Sequence, residues 1–177
     1  MRHTLAPLFR KIARLAWPAS VLLALAPAAN AVTVTTTFQV TATVLNACLL
    51  STPPTLAFGT YDPASATPLA GTTTFNVTCT FGTPYSIGLS AGASAGATVD
   101  NRAMTSPTAP AGNNTLLYGL YKESTYSTNW DNSVSGTGYT GNGVLQPLTV
   151  YGQIPINQYT AAAATDYADT ITLTLTY

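Results

Sequence analysis

Four carboxylates, Glu123, Asp131, Asp166 and Asp169, have the side-chain type for general acid and base work. A glycoside hydrolase would need two of them facing each other across a sugar. Asp166 and Asp169 flank Tyr167-Ala168 just ahead of an alternating stretch, where acidic side chains commonly keep the end of a strand in water, so all four read as solvated loop carboxylates. The single histidine is His3, which falls in a leader that is removed, so no serine or cysteine would keep a histidine base. Gly136-Thr137-Gly138-Tyr139-Thr140-Gly141 has the glycine spacing of a dinucleotide-binding loop. It lacks the preceding parallel strand, the following helix and the acidic residue about 20 positions on that give such a loop its function, and reads as a hairpin connection. Asn129, Asp131 and Ser133 are spaced like calcium-loop ligands, but the twelfth position is Thr140, which cannot supply the bidentate carboxylate. Asn76-Val77-Thr78 and Asn113-Asn114-Thr115 are glycan acceptor sequons. The expectation is a protein that is not an enzyme and takes no cofactor or metal.

Residues 1–31 read as an export signal. Arg2, Arg10, Lys11 and Arg14 make a basic start, Leu15 to Ala26 an apolar run interrupted by Pro18, and Ala29-Asn30-Ala31 a cleavage site. The run falls short of the roughly 20 residues that cross a bilayer, so no membrane anchor is expected. The processed chain keeps Arg102 and Lys122 against Asp62, Asp100, Glu123, Asp131, Asp166 and Asp169. Such an acidic surface does not attract a phosphate backbone, and nucleic acid is excluded as a partner. An exported chain with two cysteines, Cys48 and Cys79, most simply forms one disulfide.

The elements that organise the rest alternate with a period of two. In Val32 to Val44 the even positions are Val32, Val34, Phe38, Val40, Ala42 and Val44, and only Thr36 breaks the apolar row. This is the pattern of a strand with one buried and one wet face, placed at the free end of the processed protein, where a segment can add itself to the sheet edge of a neighbour. Ile171, Leu173, Leu175 and Tyr177 alternate with threonines in the same way. Between them, short strands are expected at Leu56–Tyr61, Thr72–Phe81 (with Phe75, Val77, Cys79 and Phe81 on one face), Tyr85–Leu89, Arg102–Met104, Leu116–Tyr121 and Val144–Ile156. Residues 91–97, 107–114 and 129–143 are rich in glycine, alanine, asparagine or serine and read as loops. Apolar residues recur at helical spacing only in the leader. The fold class is therefore all-β, a single sandwich compatible with the immunoglobulin-like type.

In their order these pieces resemble the spore coat protein U domain family, which includes the subunits of archaic chaperone-usher pili. The resemblance rests on the alternating segment running to a cysteine (Val32 to Cys48), Leu56-Ala57-Phe58-Gly59, and the alternating strand ending in Cys79. It continues through Arg102-Ala103-Met104, Leu116 to Tyr121 followed by Trp130, Val150-Tyr151-Gly152-Gln153-Ile154-Pro155, and the ending Tyr167-Ala168-Asp169-Thr170 up to Tyr177. The family usually has a glycine where this chain has Thr165, and threonine tolerates positive φ poorly.

The resemblance implies an immunoglobulin-like sandwich that lacks its final strand and is completed by a donor strand from a neighbouring subunit. Residues 1–31 would be the signal, 32–45 the donor strand, and 46–177 the pilin-like domain, with Ile171, Leu173, Leu175 and Tyr177 edging the open groove. A periplasmic chaperone would fill that groove first, and at an outer-membrane usher the donor strand of the next identical or related subunit would replace it. The product would be a cell-surface pilus, with a shaft subunit favoured. A spore-coat or other extracellular coat polymer is the runner-up. A secreted sugar-binding module is a third reading, supported by Trp130 with Tyr126 and Tyr139, although packing of these aromatics over their loop is favoured.

Overall fold

The computed structural model describes residues 30–134 and 138–177. Most of the expected leader and the start of the glycine-spaced loop lie outside the described residues. The chain divides into two units at Thr41/Ala42. In the first, residues 30–41 form no strand, and Val32, Val34, Phe38 and Val40 are exposed.

The second unit contains eight strands and, among the described residues, no helix: β1 (Cys48–Leu50), β2 (Leu69–Cys79), β3 (Pro84–Leu89), β4 (Arg102–Thr105), β5 (Thr115–Tyr121), β6 (Tyr139–Thr140), β7 (Gln146–Ile154) and β8 (Leu173–Thr176). They form a five-stranded sheet in the order β1-β2-β7-β5-β4 and a three-stranded sheet in the order β6-β3-β8. All pairings are antiparallel. The chain passes from one sheet to the other at the β2–β3 turn, and one core fills the space between: Phe75 and Val77 of β2, Ile87 and Leu89 of β3, Leu116 and Leu120 of β5, Val150 and Ile154 of β7. This is an immunoglobulin-like β-sandwich.

Period-two alternation forms these strands because each then sends every second side chain to the core. In β2, Phe75, Val77 and Cys79 are buried as expected, but Phe81 is 81% exposed. The strand stops at Cys79, and Thr83 N–H donates to Thr80 O (3.0 Å) across a turn in which Gly82 takes φ +80°, so alternation no longer governs Phe81. Leu56–Tyr61 also departs from expectation and forms no strand. Pro53 and Pro54 cannot donate to a ladder, and Gly59 at φ +79° bends the segment. The remaining expectations match β3, β4, β5 and β7 to within two residues. Thr165 is not among the non-glycine residues at positive φ, so its turn needs no glycine.

Cys48 and Cys79 are bonded to each other. They sit directly opposite in the β1–β2 register, so the bridge joins neighbouring strands of one sheet rather than the two sheets of the sandwich.

Candidate functional site: an open groove between β8 and the segment after β1

The groove begins with an edge. β8 pairs with β3 on one side only, with Ile87 opposite Leu175 and Leu89 opposite Leu173. Its other side carries main-chain groups of the kind that accept an added strand. The facing wall is the stretch after β1, from Pro53 to Tyr61, and between the walls lies a cavity of about 860 Å³. Leu116, Tyr118 and Leu120 of β5 and Val150 of β7 line its floor, and Ala161–Ala164 line it beside Tyr61. The lining is mostly apolar, as a site for alternating side chains should be.

The Pro53–Tyr61 wall is held by side chains instead of a ladder. Thr73 Oγ1 donates to Pro54 O (2.7 Å), and Tyr61 Oη donates to Pro155 O (2.8 Å). Leu56 and Phe58 rest over Gly71 and Gly152, which face each other in the β2–β7 register. A Cβ on Gly152 would come within 2.8 Å of the Phe58 ring, and one on Gly71 within 3.0 Å of Leu56. The glycine pair thus makes the recess that seats this wall. Phe58 meets Tyr118 edge-on at 6.1 Å, which connects the wall to the floor.

The β8 wall is held indirectly by Arg102, which is fully buried. Its guanidinium donates to Leu89 O (3.0 Å), Ser90 O (2.8 Å), Val99 O (2.7 Å), Trp130 O (2.7 Å) and Asn129 Oδ1 (3.4 Å). Burial lowers its pKa, against the attraction of Asp100, Asp169 and Asp131, and the ring of carbonyl acceptors satisfies the guanidinium donors. Because Leu89 and Ser90 lead out of β3, this cation on β4 fixes the strand that β8 pairs with. At the floor, Tyr118 Oη donates to Asp169 Oδ2 (2.6 Å), and burial together with this bond raises the tyrosine pKa. Asp169 also accepts from the amides of Ala93 and Thr170, both at 2.7 Å.

Ile171, Leu173 and Leu175 are half-buried along the groove edge, whereas Tyr177 is 59% exposed. The six apolar residues of the alternating segment, Val32 to Val44, belong to no strand. The four carboxylates considered for catalysis are engaged separately. Asp166 accepts from Ser106 and Thr108, Glu123 from Ser127 and Thr128, Asp131 from the Ser133 amide, and Asp169 from Tyr118. The loop aromatics are packed. Trp130 is 1% exposed, lies 5.9 Å from Phe75 and donates through Nε1 to Ile87 O (3.1 Å), while Tyr126 meets Tyr121 and Tyr139 stacks on Tyr85. No face of Trp130 is open to a sugar.

Sequence reasoning missed Arg102, the Gly71/Gly152 pair and the alanine run as groove-forming residues. An arginine inside an alternating strand, in a chain whose only other cation outside the expected leader is Lys122, was a usable signal for the first. Glycines in the interior of two strands were a signal for the second.

The class defined by this geometry is an all-β sandwich in which the edge strand β8 borders an apolar groove. The family model described as Spore Coat Protein U domain matches residues 34–174, and the chain belongs to that family. The matched span includes most of the alternating segment. No curated protein matches the chain. Among solved structures, it is similar to the crystal structure of the CsuC-CsuE chaperone-tip adhesion subunit pre-assembly complex from archaic chaperone-usher Csu pili of Acinetobacter baumannii. The identity is 23%, the TM-score is 0.49, and the alignment covers 76% of this chain and 40% of that one.

Proposed function

We infer that the protein is a structural subunit of a chaperone-usher surface pilus, exported after removal of residues 1–31 and polymerised by donor-strand exchange. The reading is carried by one observation: an open apolar groove edged by β8, in a chain that also carries an alternating segment, residues 32–44, that belongs to no strand. In the polymer, Val32, Val34, Phe38, Val40, Ala42 and Val44 of one copy enter the groove of another and pair with the free side of β8. Before assembly a periplasmic chaperone covers the groove, and an outer-membrane usher directs the exchange. Burying Val34, Phe38, Val40 and Val44 contributes about 1.5 to 3 kcal/mol each, and main-chain bonds add to that, against a comparable cost of ordering a dozen residues.

A synthetic peptide of residues 32–44, added to the processed protein, tests this. It is expected to bind with one-to-one stoichiometry and to suppress a ladder of non-covalent multimers that survives mild detergent and collapses on boiling. A processed protein that forms no ladder and takes up no peptide would refute the reading. The family's description favours a coat polymer as the second reading. It uses the same exchange and is distinguished by where labelled protein is found on the cell.

A further inference from the structure

The end of the sandwich at which the alternating segment joins it is apolar where turns are normally polar. Two adjacent turns, each with a glycine at φ +80° (Gly82 and Gly143), are linked by Gly82 N–H to Gly141 O (2.8 Å), Gly141 N–H to Thr83 O (2.8 Å) and Gly143 N–H to Cys79 O (3.2 Å). Turn positions favour Gly, Pro, Asn, Asp and Ser, yet these carry Phe81, Val144 and Leu145, with exposures of 81%, 62% and 59%. Leu49, 74% exposed, stands opposite Thr78 in the β1–β2 register, on the strand that leads into the first of these turns. Residues 44–51, 77–86 and 138–148, which build this end, contain no Asp, Glu, Lys or Arg. Exposed apolar patches depleted of charge mark interaction surfaces.

We propose that this patch, Leu49, Phe81, Val144 and Leu145, docks on the Pro155–Ala164 loop of the preceding copy, forming a second contact between subunits beside the donor strand. The inference rests on the donor-strand reading and on direction and slack. β8 runs from Leu173, opposite Leu89, to Thr176, opposite Ser86, that is, toward the Cys48 end. A strand added antiparallel to it, the more stable pairing, runs away from that end, so its Val44 emerges at the far end of the acceptor, where Ala161–Ala164 line the groove. Parallel addition would instead bring two Cys48 ends together, where the acceptor's own segment departs, and would not propagate head to tail. From Leu45 onward the chain is pinned to its own domain. Thr80 donates to Ala47 O through its amide (2.9 Å) and to Leu45 O through Oγ1 (3.3 Å), and Thr83 Oγ1 donates to Asn46 Oδ1 (3.1 Å). One residue step, about 3.8 Å, then separates the last inserted side chain from the donor's body, so the two ends are pressed together. The acceptor loop offers Ile156 and Tyr159, 37% and 66% exposed, as apolar counterparts.

The test uses Phe81→Asp/Leu145→Asp in the processed protein, with uptake of the 32–44 peptide as the control. Peptide uptake should match wild type, because neither residue touches the groove, while the variant's polymers dissociate about tenfold faster or more. A Leu145→Cys/Tyr159→Cys protein should give a disulfide-linked ladder when polymers are oxidised. Wild-type dissociation rates in the charged variant, with intact peptide uptake and no ladder from the cysteine pair, would overturn the contact while leaving donor-strand exchange standing. Absence of peptide uptake by the wild type would remove both.

Discussion

Two segments of this chain carry nearly the same pattern and have different fates. Residues 171–177 alternate Ile, Leu, Leu and Tyr with threonine, and their middle part becomes β8. Residues 32–44 alternate Val, Phe and Ala with threonine and glutamine over nearly twice that length, yet form no strand. The difference is a partner. β8 finds β3, which is held in place through Leu89 and Ser90 by the buried Arg102; the earlier segment has no partner strand among the described residues. A pattern of side chains prepares a strand, but main-chain hydrogen bonds to a neighbour make one.

If the missing partner is the groove of another copy, one charge on the inward face should be decisive. Phe38→Asp or Val40→Asp should abolish polymerisation, since an unpaired buried charge costs several kcal/mol, and should leave the fold of the single subunit unchanged by circular dichroism. Thr37→Asp or Thr41→Asp, on the opposite face, should assemble almost normally. Equal responses from the two faces would end the period-two description of this segment, and unfolding of the subunit by the inward charges alone would place the segment in its own domain.

The converse operation takes the partner away from β8. Arg102→Ala leaves the carbonyls of Leu89, Ser90 and Trp130 without their arginine donor, at about 1 to 3 kcal/mol for each that water does not reach, while Val99 O keeps Asn129 Nδ2 (2.7 Å). Amide exchange in residues 173–176 should then rise toward that of residues 32–44, with a clear loss of thermal stability. Slow exchange retained in β8 would show that Arg102 does not hold its partner.

A smaller effect is expected at the junction between the alternating segment and the domain. Cys48 and Cys79 are 31 positions apart, and closing such a loop stabilises by about 3 to 4 kcal/mol in the chain-entropy model. Cys48→Ser/Cys79→Ser should lower denaturant stability by about that amount without changing which face of residues 32–44 is sensitive to charge. A variant as stable as wild type would contradict it.

The smallest effect concerns pH at the groove's far end. Hydrogen bonds from Ser106 and Thr108 hold Asp166 below the usual carboxylate range. A carboxyl whose pKa is depressed by folding contributes stability above its unfolded value, about 3.9, and loses it as pH falls through the lower folded value. Melting temperature should therefore drop more steeply in acid for wild type than for Asp166→Asn, and parallel curves would remove the contribution.

The sequence by itself determined the class of the fold and most of its strands, because period-two alternation is a local property that each strand repeats. It determined the disulfide as well, since two cysteines in one chain have a single internal pairing. Phe81 was misplaced because alternation does not announce where a strand stops, and Gly82 turns the chain just there. Leu56–Tyr61 has strand-like residues but lies after Pro53-Pro54 and bends at Gly59, so it packs on a glycine recess without joining a ladder. The groove is written in no single stretch. Leu173, Tyr118, Gly152, Ala161 and Phe58 are separated by up to more than a hundred positions, and nothing in their spacing shows that they line one cavity. Only the tertiary structure decided that β8 keeps one side unpaired, because pairing is a contest between edges that all the strands enter together.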